Sequence, residues 1–378
     1  MSTRKGLALL LATLATGALA ACGSTEGTAS DAEEKPATAA ADAEQAIDRS
    51  WNENGSTTVP TPPADSGKGV KIGYLGFGKN NPWSQWMFKA VEDEAKQFGA
   101  TATFVGPPSF NPQAEAQLVC DAATSKTYDV LLIVPQDGPS IVPCTKQAIA
   151  AGIKVVAIAW AIGPDQTSKE IQVEGVTSQV LEDVLVNAKA MGEGVAESCE
   201  GIDPCEVAVQ WGVRALAFDK VKPPTFYEEL KAHPNVKLVC ETDAQYTQDL
   251  GRTQAADCLQ AHPKLHVIAA QADESARGAE KAIRAAGRTL GEGSKGVKIV
   301  SSYASQYGVK QVRAKKWVQT YYNRPQSMAR TAVDLALLSV AGKEVPPYVD
   351  QASVDDVGDV VDAAALEKHP DLVGQWEG

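Results

Sequence analysis

The sequence predicts an α/β protein built from two doubly wound parallel-sheet lobes. Three observations carry the prediction. Short β-rich runs alternate with amphipathic helical stretches from Val70 onward, the runs are apolar at consecutive positions, and the alternation comes in two series. Strands that are apolar on both faces and separated by helices imply parallel sheets covered on both sides. The stretch 70–378 is long enough for two domains of ordinary size.

The first series opens with "VKIGYLGF" (70–77), followed by "ATATFVG" (100–106), "YDVLLIVP" (128–135) and "IKVVAIAWA" (153–161). Between them lie the helical patterns "WMFKAVEDEAKQFG" (86–99), "AEAQLVCDAATSK" (114–126) and "IVPCTKQAIAAG" (141–152), each closing near a glycine or lysine. The rhythm resumes with "CEVAVQWG" (205–212), "NVKLVCETDA" (235–244), "LHVIAAQADE" (265–274) and "VKIVSSYAS" (297–305). In such lobes ligands bind beyond the carboxyl ends of the strands. The stretch "GFGKNNPWSQW" (76–86) follows the first strand, and its two tryptophans stand where a turn is normally small and polar. It is therefore expected to form one wall of a ligand cleft.

The N-terminus, "MSTRKGLALLLATLATGALAACGS", has the basic start, apolar stretch and small-residue end of a secretory signal. Leu19-Ala20-Ala21-Cys22 followed by Gly23 resembles the bacterial lipobox, which implies a signal peptide over 1–21 and a lipid on the Cys22 sulfur. The rival reading is an ordinary signal peptide with an incidental cysteine. Residues 22–69 are rich in Ala, Thr, Ser, Glu, Asp, Pro and Gly and read as a lipidated, disordered tether.

The chain carries 47 acidic and 35 basic residues, a net charge of -12, which disfavours nucleic acid as a partner. Of seven cysteines, six remain once Cys22 is set aside, and an even number in an exported chain points to disulfides. Sequence leaves the connectivity open; proximity favours Cys199 with Cys205 and Cys240 with Cys258, which leaves Cys120 with Cys144. Zinc is the rival reading, but no C-x-x-C pair occurs and the four histidines are not spaced to share a metal. Neither a metal nor a cofactor is expected.

The ordered series "YLGFGKNNPWSQWMFKAVEDEAKQFGATATFV", "LLIVPQDG", "AIAAGIKVVAIA", "LQAHPKLHVIAAQADESARGAEKAIRAAG" and "WVQTYYNRPQSMARTAVDLALLSVAGKEV" resembles the ribose-type sugar-binding proteins of ABC importers, the type I periplasmic binding proteins. The resemblance implies three chain crossings between the lobes, expected near Val176, Asn323 and Val345. It thus implies an N-terminal lobe of 70–176 plus 324–345 and a C-terminal lobe of 177–323 plus 346–378. It further implies a monomer outside the cytoplasm, held to the membrane by its lipid, which closes on a small carbohydrate-like molecule. The closed form would dock on a permease with a separate ATPase.

Carried onto this sequence, the resemblance puts Asn81 and Trp83 at the family's Asn and first aromatic of an Asn-Pro turn, and Asn323 at a polar position near the second crossing. Tyr246 falls near an aromatic position and Lys222 near a basic one. The departures are more telling. The family's Asp-Arg grip after the fourth strand is replaced by Ala159-Trp160, the Asn of its "Q-N-D-E" by Ala272, and a later Asp by Tyr303. The resulting pocket of Trp83, Trp160, Tyr246 and Tyr303, with Trp211, would be apolar and dominated by stacking. This argues against a simple pentose or hexose held through its hydroxyls, and leaves larger glycosides, deoxy or polyol compounds, nucleosides and non-sugar rings open.

Blander readings accompany each residue. Trp211 and Trp86 fit as plugs between sheet and helix, whereas Trp83 and Trp160 sit at corresponding strand ends of one lobe. Asp273 and Asp137 are candidate ligand groups that fit equally as helix caps, as does Glu274. For enzymes, "GYLGFGKN" keeps only Gly76-x-Gly78 of a dinucleotide fingerprint, and no G-x-S-x-G, phosphate loop or H-E-x-x-H occurs. A carboxylate-pair glycosidase stays open on residues alone. The expectation is a non-enzymatic substrate-binding protein of an ABC importer; the alternative is the same clamp presenting its ligand to a membrane histidine kinase or chemoreceptor.

Overall fold

A computed structural model describes residues 59–291 and 296–378. The expected signal peptide, Cys22 and the expected tether as far as residue 58 lie outside the described residues.

The chain runs β1 (Lys71–Leu75), α1 (Pro82–Gln97), β2 (Thr101–Phe104), α2 (Pro112–Ser125), β3 (Val130–Ile133), α3 (Val142–Ala150), β4 (Lys154–Ala159) and β5 (Ser178–Leu181). It continues with α4 (Val184–Ser198), β6 (Cys205–Trp211), α5 (Ala217–Lys220), α6 (Lys222–Lys231), β7 (Val236–Asp243), α7 (Gln248–Ala261), β8 (Val267–Ala270) and α8 (Asp273–Ala285). Next come β9 (Thr289–Leu290), β10 (Gly296–Ser302), α9 (Gln306–Arg313), β11 (Gln319–Tyr321), α10 (Pro325–Val340), β12 (Tyr348–Asp350), β13 (Val360–Val361) and α11 (Ala363–Lys368).

These elements form two sheets. One has six strands in the order β12-β5-β4-β3-β1-β2, all parallel. The other has seven strands in the order β13-β11-β10-β8-β6-β7, with β9 beside β10, and only β13 runs antiparallel. The apolar runs explain this: every residue of β3 and β8 is buried, as expected of strands covered on both faces. Helix starts follow capping chemistry. Asn81 and Asn111 each accept a backbone N–H with Oδ1, from Ser84 and Ala114, and each precedes a proline that is tolerated at the first helical position.

Three boundaries differ from expectation. The crossings expected near Val176 and Val345 fall later, because Ser178–Leu181 and Tyr348–Asp350 are strands of the first sheet that pair with each other. The chain therefore leaves the first lobe at Glu182 and at Gln351; between these it returns through Asn323 into α10, which packs on α1 and β4. The stretch 59–69, expected to be tether, is packed: Val59 is fully buried in the first lobe's core and the Gly67 N–H donates to Phe98 O at 3.0 Å. Cys120 joins Cys144, Cys199 joins Cys205 and Cys240 joins Cys258, with Cα atoms 4.7, 5.6 and 5.9 Å apart. Among the described residues no helix is long and apolar enough to cross a membrane, and no group of His, Cys, Asp or Glu is placed to hold a metal.

Candidate ligand-binding site

Where the carboxyl ends of the two sheets face each other, a cavity is lined by Phe77, Asn81, Trp83, Trp160, Tyr246, Glu274, Tyr303 and Trp376. Six of these eight are aromatic. Phe77 follows β1, Trp83 opens α1 and Trp160 follows β4, all from the first lobe; Tyr246 follows β7 and Tyr303 follows β10 in the second. Three of the turns that aim rings into the cavity pass through left-handed backbone: Ala159 at φ 66°, Tyr246 at φ 57° and Tyr303 at φ 85°. Side chains other than glycine enter that region at a cost, and such strain gathers at functional sites.

The rings are tightly fitted. Trp160 lies flat on Phe218 of α5, centroids 3.9 Å apart and planes 11° apart, so the second lobe inserts a ring against the first lobe's wall. Trp83 stacks at 5.9 Å on Trp160, and Phe77 stands edge-on to Trp160 and Tyr246. The cavity that remains measures ≈ 30 Å³. That holds about two waters, since one needs roughly 10–15 Å³ on this measure. A cavity of this volume has no room for a ring-sized ligand while Phe218 lies on Trp160.

Behind the aromatic wall lies a buried polar network. Lys222 Nζ, 1% exposed, stands 3.5 Å from Glu182 Oε1 and 3.4 Å from Asp219 Oδ1, and donates to Tyr303 Oη at 3.1 Å. Tyr246 Oη donates to Asp219 at 2.5 Å, and Gln271 also donates to Asp219. Burial pushes the Glu182 carboxyl up, and the neighbouring Lys222 ammonium opposes the shift. Asn323 Nδ2 donates to Glu182 Oε2 at 2.8 Å and to Gln351 Oε1 at 3.3 Å, which joins one residue from each of the three crossings. Beside them Arg324 makes a bidentate pair with Asp355 at 2.9 and 2.8 Å.

Of the residues expected at the site, Asn81, Trp83, Trp160, Tyr246 and Tyr303 line the cavity. Four others do not. Trp211 is fully buried on the far side of its sheet, edge-on to Phe226 at 5.2 Å, with its indole N–H donated to Glu241. Asp273 is enclosed by Ser301, Ser305 and Thr320, whose donors lie 2.6–3.0 Å away, and burial holds its carboxyl up at about 6. Asp137 lies in a separate groove with Pro139, Pro164 and Lys220. Asn323 acts one step back, accepting the Trp83 indole N–H at 2.8 Å.

Phe77, Phe218 and Trp376 are not marked as site residues by any sequence pattern, and Glu274 is expected from the sequence only as a helix cap. Trp376 is 1% exposed and donates its indole N–H to Tyr303 O at 2.8 Å. Glu274, in the first turn of α8, is half-buried, and desolvation pushes its carboxyl up to about 8.

Residues 72–344 match the family model described as a periplasmic binding protein domain. The chain is 24% identical over 285 residues to the ribose import binding protein of Bacillus subtilis, covering 75% of this chain and 86% of that one. It is 26% identical over 270 residues to the D-allose-binding periplasmic protein of Escherichia coli, covering 71% and 84%. Among solved structures, the periplasmic binding component of the arabinose ABC transporter from Shewanella sp. ANA-3 superposes with a TM-score of 0.68 at 21% identity, covering 80% of this chain and 95% of that one.

Proposed function

The chain belongs to the periplasmic binding protein domain family, and on that premise we propose that it is the extracytoplasmic, lipid-anchored capture component of an ABC importer. Its relatives of known role are binding components rather than enzymes, and the chemistry of its cleft is that of a binder: stacked rings and no nucleophile paired with a base. The solute is sugar-like, or another ring-containing molecule, and is taken from outside the cytoplasm. Relatives named for ribose and allose support the sugar class.

One observation carries the reading: five cavity residues from both lobes, Trp83 and Trp160 facing Tyr246, Tyr303 and Trp376, close around a single space between two lobes joined at three crossings. Parting at those crossings admits the solute, and closure buries it between rings drawn from both sides. The closed surface then docks on a permease driven by a separate ATPase. The anchor rests on Cys22, and its mature N-terminus would bear the lipid.

Thermal unfolding of the purified full chain against sugars, polyols, nucleosides and ring compounds tests the reading. A solute at about 100 times its dissociation constant adds roughly 2.7 kcal/mol of stability. Trp83→Ala and Trp160→Ala are expected to abolish that shift; retention of full affinity in both would remove the cavity from the function. Mass analysis of the membrane-extracted protein tests the anchor, which is wrong if Cys22 carries no lipid.

A further inference from the structure

The cavity offers a ligand far more carbon than hydrogen-bonding capacity. Nearly every polar tip of its aromatic wall is committed inside the protein. Tyr246 Oη is bonded to Asp219, Tyr303 Oη accepts from Lys222, and the indole N–H groups of Trp83 and Trp376 go to Asn323 and to Tyr303 O. Asn81 spends its carbonyl on the cap of α1, which leaves its amide donors. A neutral polyol closed into this space would leave most of its hydroxyls without partners, each at the cost of a buried unpaired polar group.

Three groups are exceptions: the Trp160 indole N–H, which has no hydrogen-bond partner among the described residues, the Asn81 amide, and Glu274, the one acid among the lining residues. The Glu274 carboxyl lines the cavity and, among the described residues, has no cationic partner; its own backbone N–H is the only hydrogen bond acting on it. The charge behind the wall leans the same way, with Glu182 and Asp219 set against the single ammonium of Lys222. The rings themselves already hold one internal cation, for Lys222 Nζ lies 5.5 Å from the Tyr303 ring centre and 5.8 Å from that of Phe218. Aromatic walls attract a cation through their negative faces, most strongly where water is excluded.

We propose that the solute is a ring-bearing organic cation, whose ammonium group pairs with Glu274 among the rings of Trp83, Tyr246, Tyr303 and Trp376 while its ring takes the face of Trp160 that Phe218 covers. This rests on the reading of the cleft as a capture site and specifies the chemistry of what it captures. Burial favours the protonated form of Glu274 in the empty cavity; an arriving ammonium favours its ionisation, and the proton leaves to solvent. The carboxylate so formed supplies the single strong, charge-assisted bond, while the aromatic wall supplies the remainder without needing hydroxyls.

The test is calorimetric titration of the full chain and of Glu274→Gln with matched probes: glucosamine, glucose, N-acetylglucosamine, cyclohexylamine and cyclohexanol. At least one amine is expected to bind about tenfold or more tightly than its neutral partners, and Glu274→Gln is expected to erase that preference. Unfolding curves of the variant verify that it stays folded. Neutral probes binding as tightly as their amine partners in both matched sets, or amine binding unchanged in Glu274→Gln, overturn the cation assignment and leave the capture reading standing. Binding of cyclohexylamine alone keeps the assignment and removes the sugar-like class. Failure of both amines to bind overturns the assignment, while the wider solute panel judges capture separately.

Discussion

Trp83 donates its indole N–H to Asn323 Oδ1 at 2.8 Å, which ties a wall of the cavity to the second of the three chain crossings. Asn323 in turn donates to Glu182 and Gln351, on the first and third crossings. The orientation of the Trp83 ring is therefore tied to all three segments by which the chain passes between the lobes.

Asn323→Ala leaves the Trp83 N–H without its acceptor and removes a donor from Glu182, all in a fully buried setting. Each orphaned group costs about 1–3 kcal/mol. Denaturant unfolding is expected to show a loss in that range or above, and solute affinity is expected to fall with it. An affinity unchanged in Asn323→Ala would mean that Trp83 is held by packing alone.

Lys222 is the cation shared by Glu182 and Asp219. Replacing it with methionine preserves much of the stem's packing but strands two carboxylates in the interior. Breaking a buried pair by removing one partner typically costs about 3–5 kcal/mol. Lys222→Met is expected to lose that much in equilibrium unfolding, and adding Glu182→Gln is expected to restore part of it. If the double variant is no more stable than the single one, Lys222 acts through its packing and not through charge.

Trp376 closes the cavity from the end of the sequence. Its neighbour Gln375 is bonded to Ser327 on α10, and Trp376 itself to Tyr303, so the segment joins an element of the first lobe to the second lobe's binding turn. Trp376→Ala is expected to cost about 3–5 kcal/mol as a large-to-small change in a packed site. It is also expected to weaken solute binding, whereas Gln375→Ala is expected to lower stability with less effect on affinity. Equal effects of the two on affinity would assign Trp376 a purely structural role.

The two-lobed fold could be read from the sequence because strands such as "VLLI" (130–133) and "VIAA" (267–270) are apolar throughout and flanked by helical periodicity. The site was legible where it sits at the ends of such strands, as with Trp160 and Tyr303. Trp211 misled for a physical reason that the period of two contains: it shares a face of β6 with Val209 and Val207, and that face packs away from the cleft. Phe218 sits on a helix of only four residues, too short to show periodicity. Trp376 is 73 residues from Tyr303, whose carbonyl accepts its indole N–H. Ser178–Leu181 and Tyr348–Asp350 are so brief that their pairing, not their composition, makes them strands. Glu274 was hidden by ambiguity, since an acid in the first turn of a helix is favourable there with or without a ligand.

Glu274 also gives the protein a pH signature. Its carboxyl is pushed up to about 8 in the folded chain by desolvation, with Asp273 adding to the effect, whereas an unfolded glutamate titrates near ~4.3. Below that lower value both states are protonated and the side chain costs the fold nothing in charge. As pH rises, the unfolded chain releases its proton first, so the contribution of Glu274 to stability falls through the window from about 4 to about 8. Asp273, held up at about 6, acts in the same direction over a narrower span, so the parent's slope mixes the two. The difference between parent and Glu274→Gln isolates one group: the variant is expected to match the parent near pH 4 and to exceed it progressively up to pH 8. Denaturant midpoints at unit steps of pH measure this directly. Parallel curves for the two proteins would mean that Glu274 is solvated well enough in the folded state to ionise at its ordinary value, and a carboxylate so well hydrated would need no cation beside it.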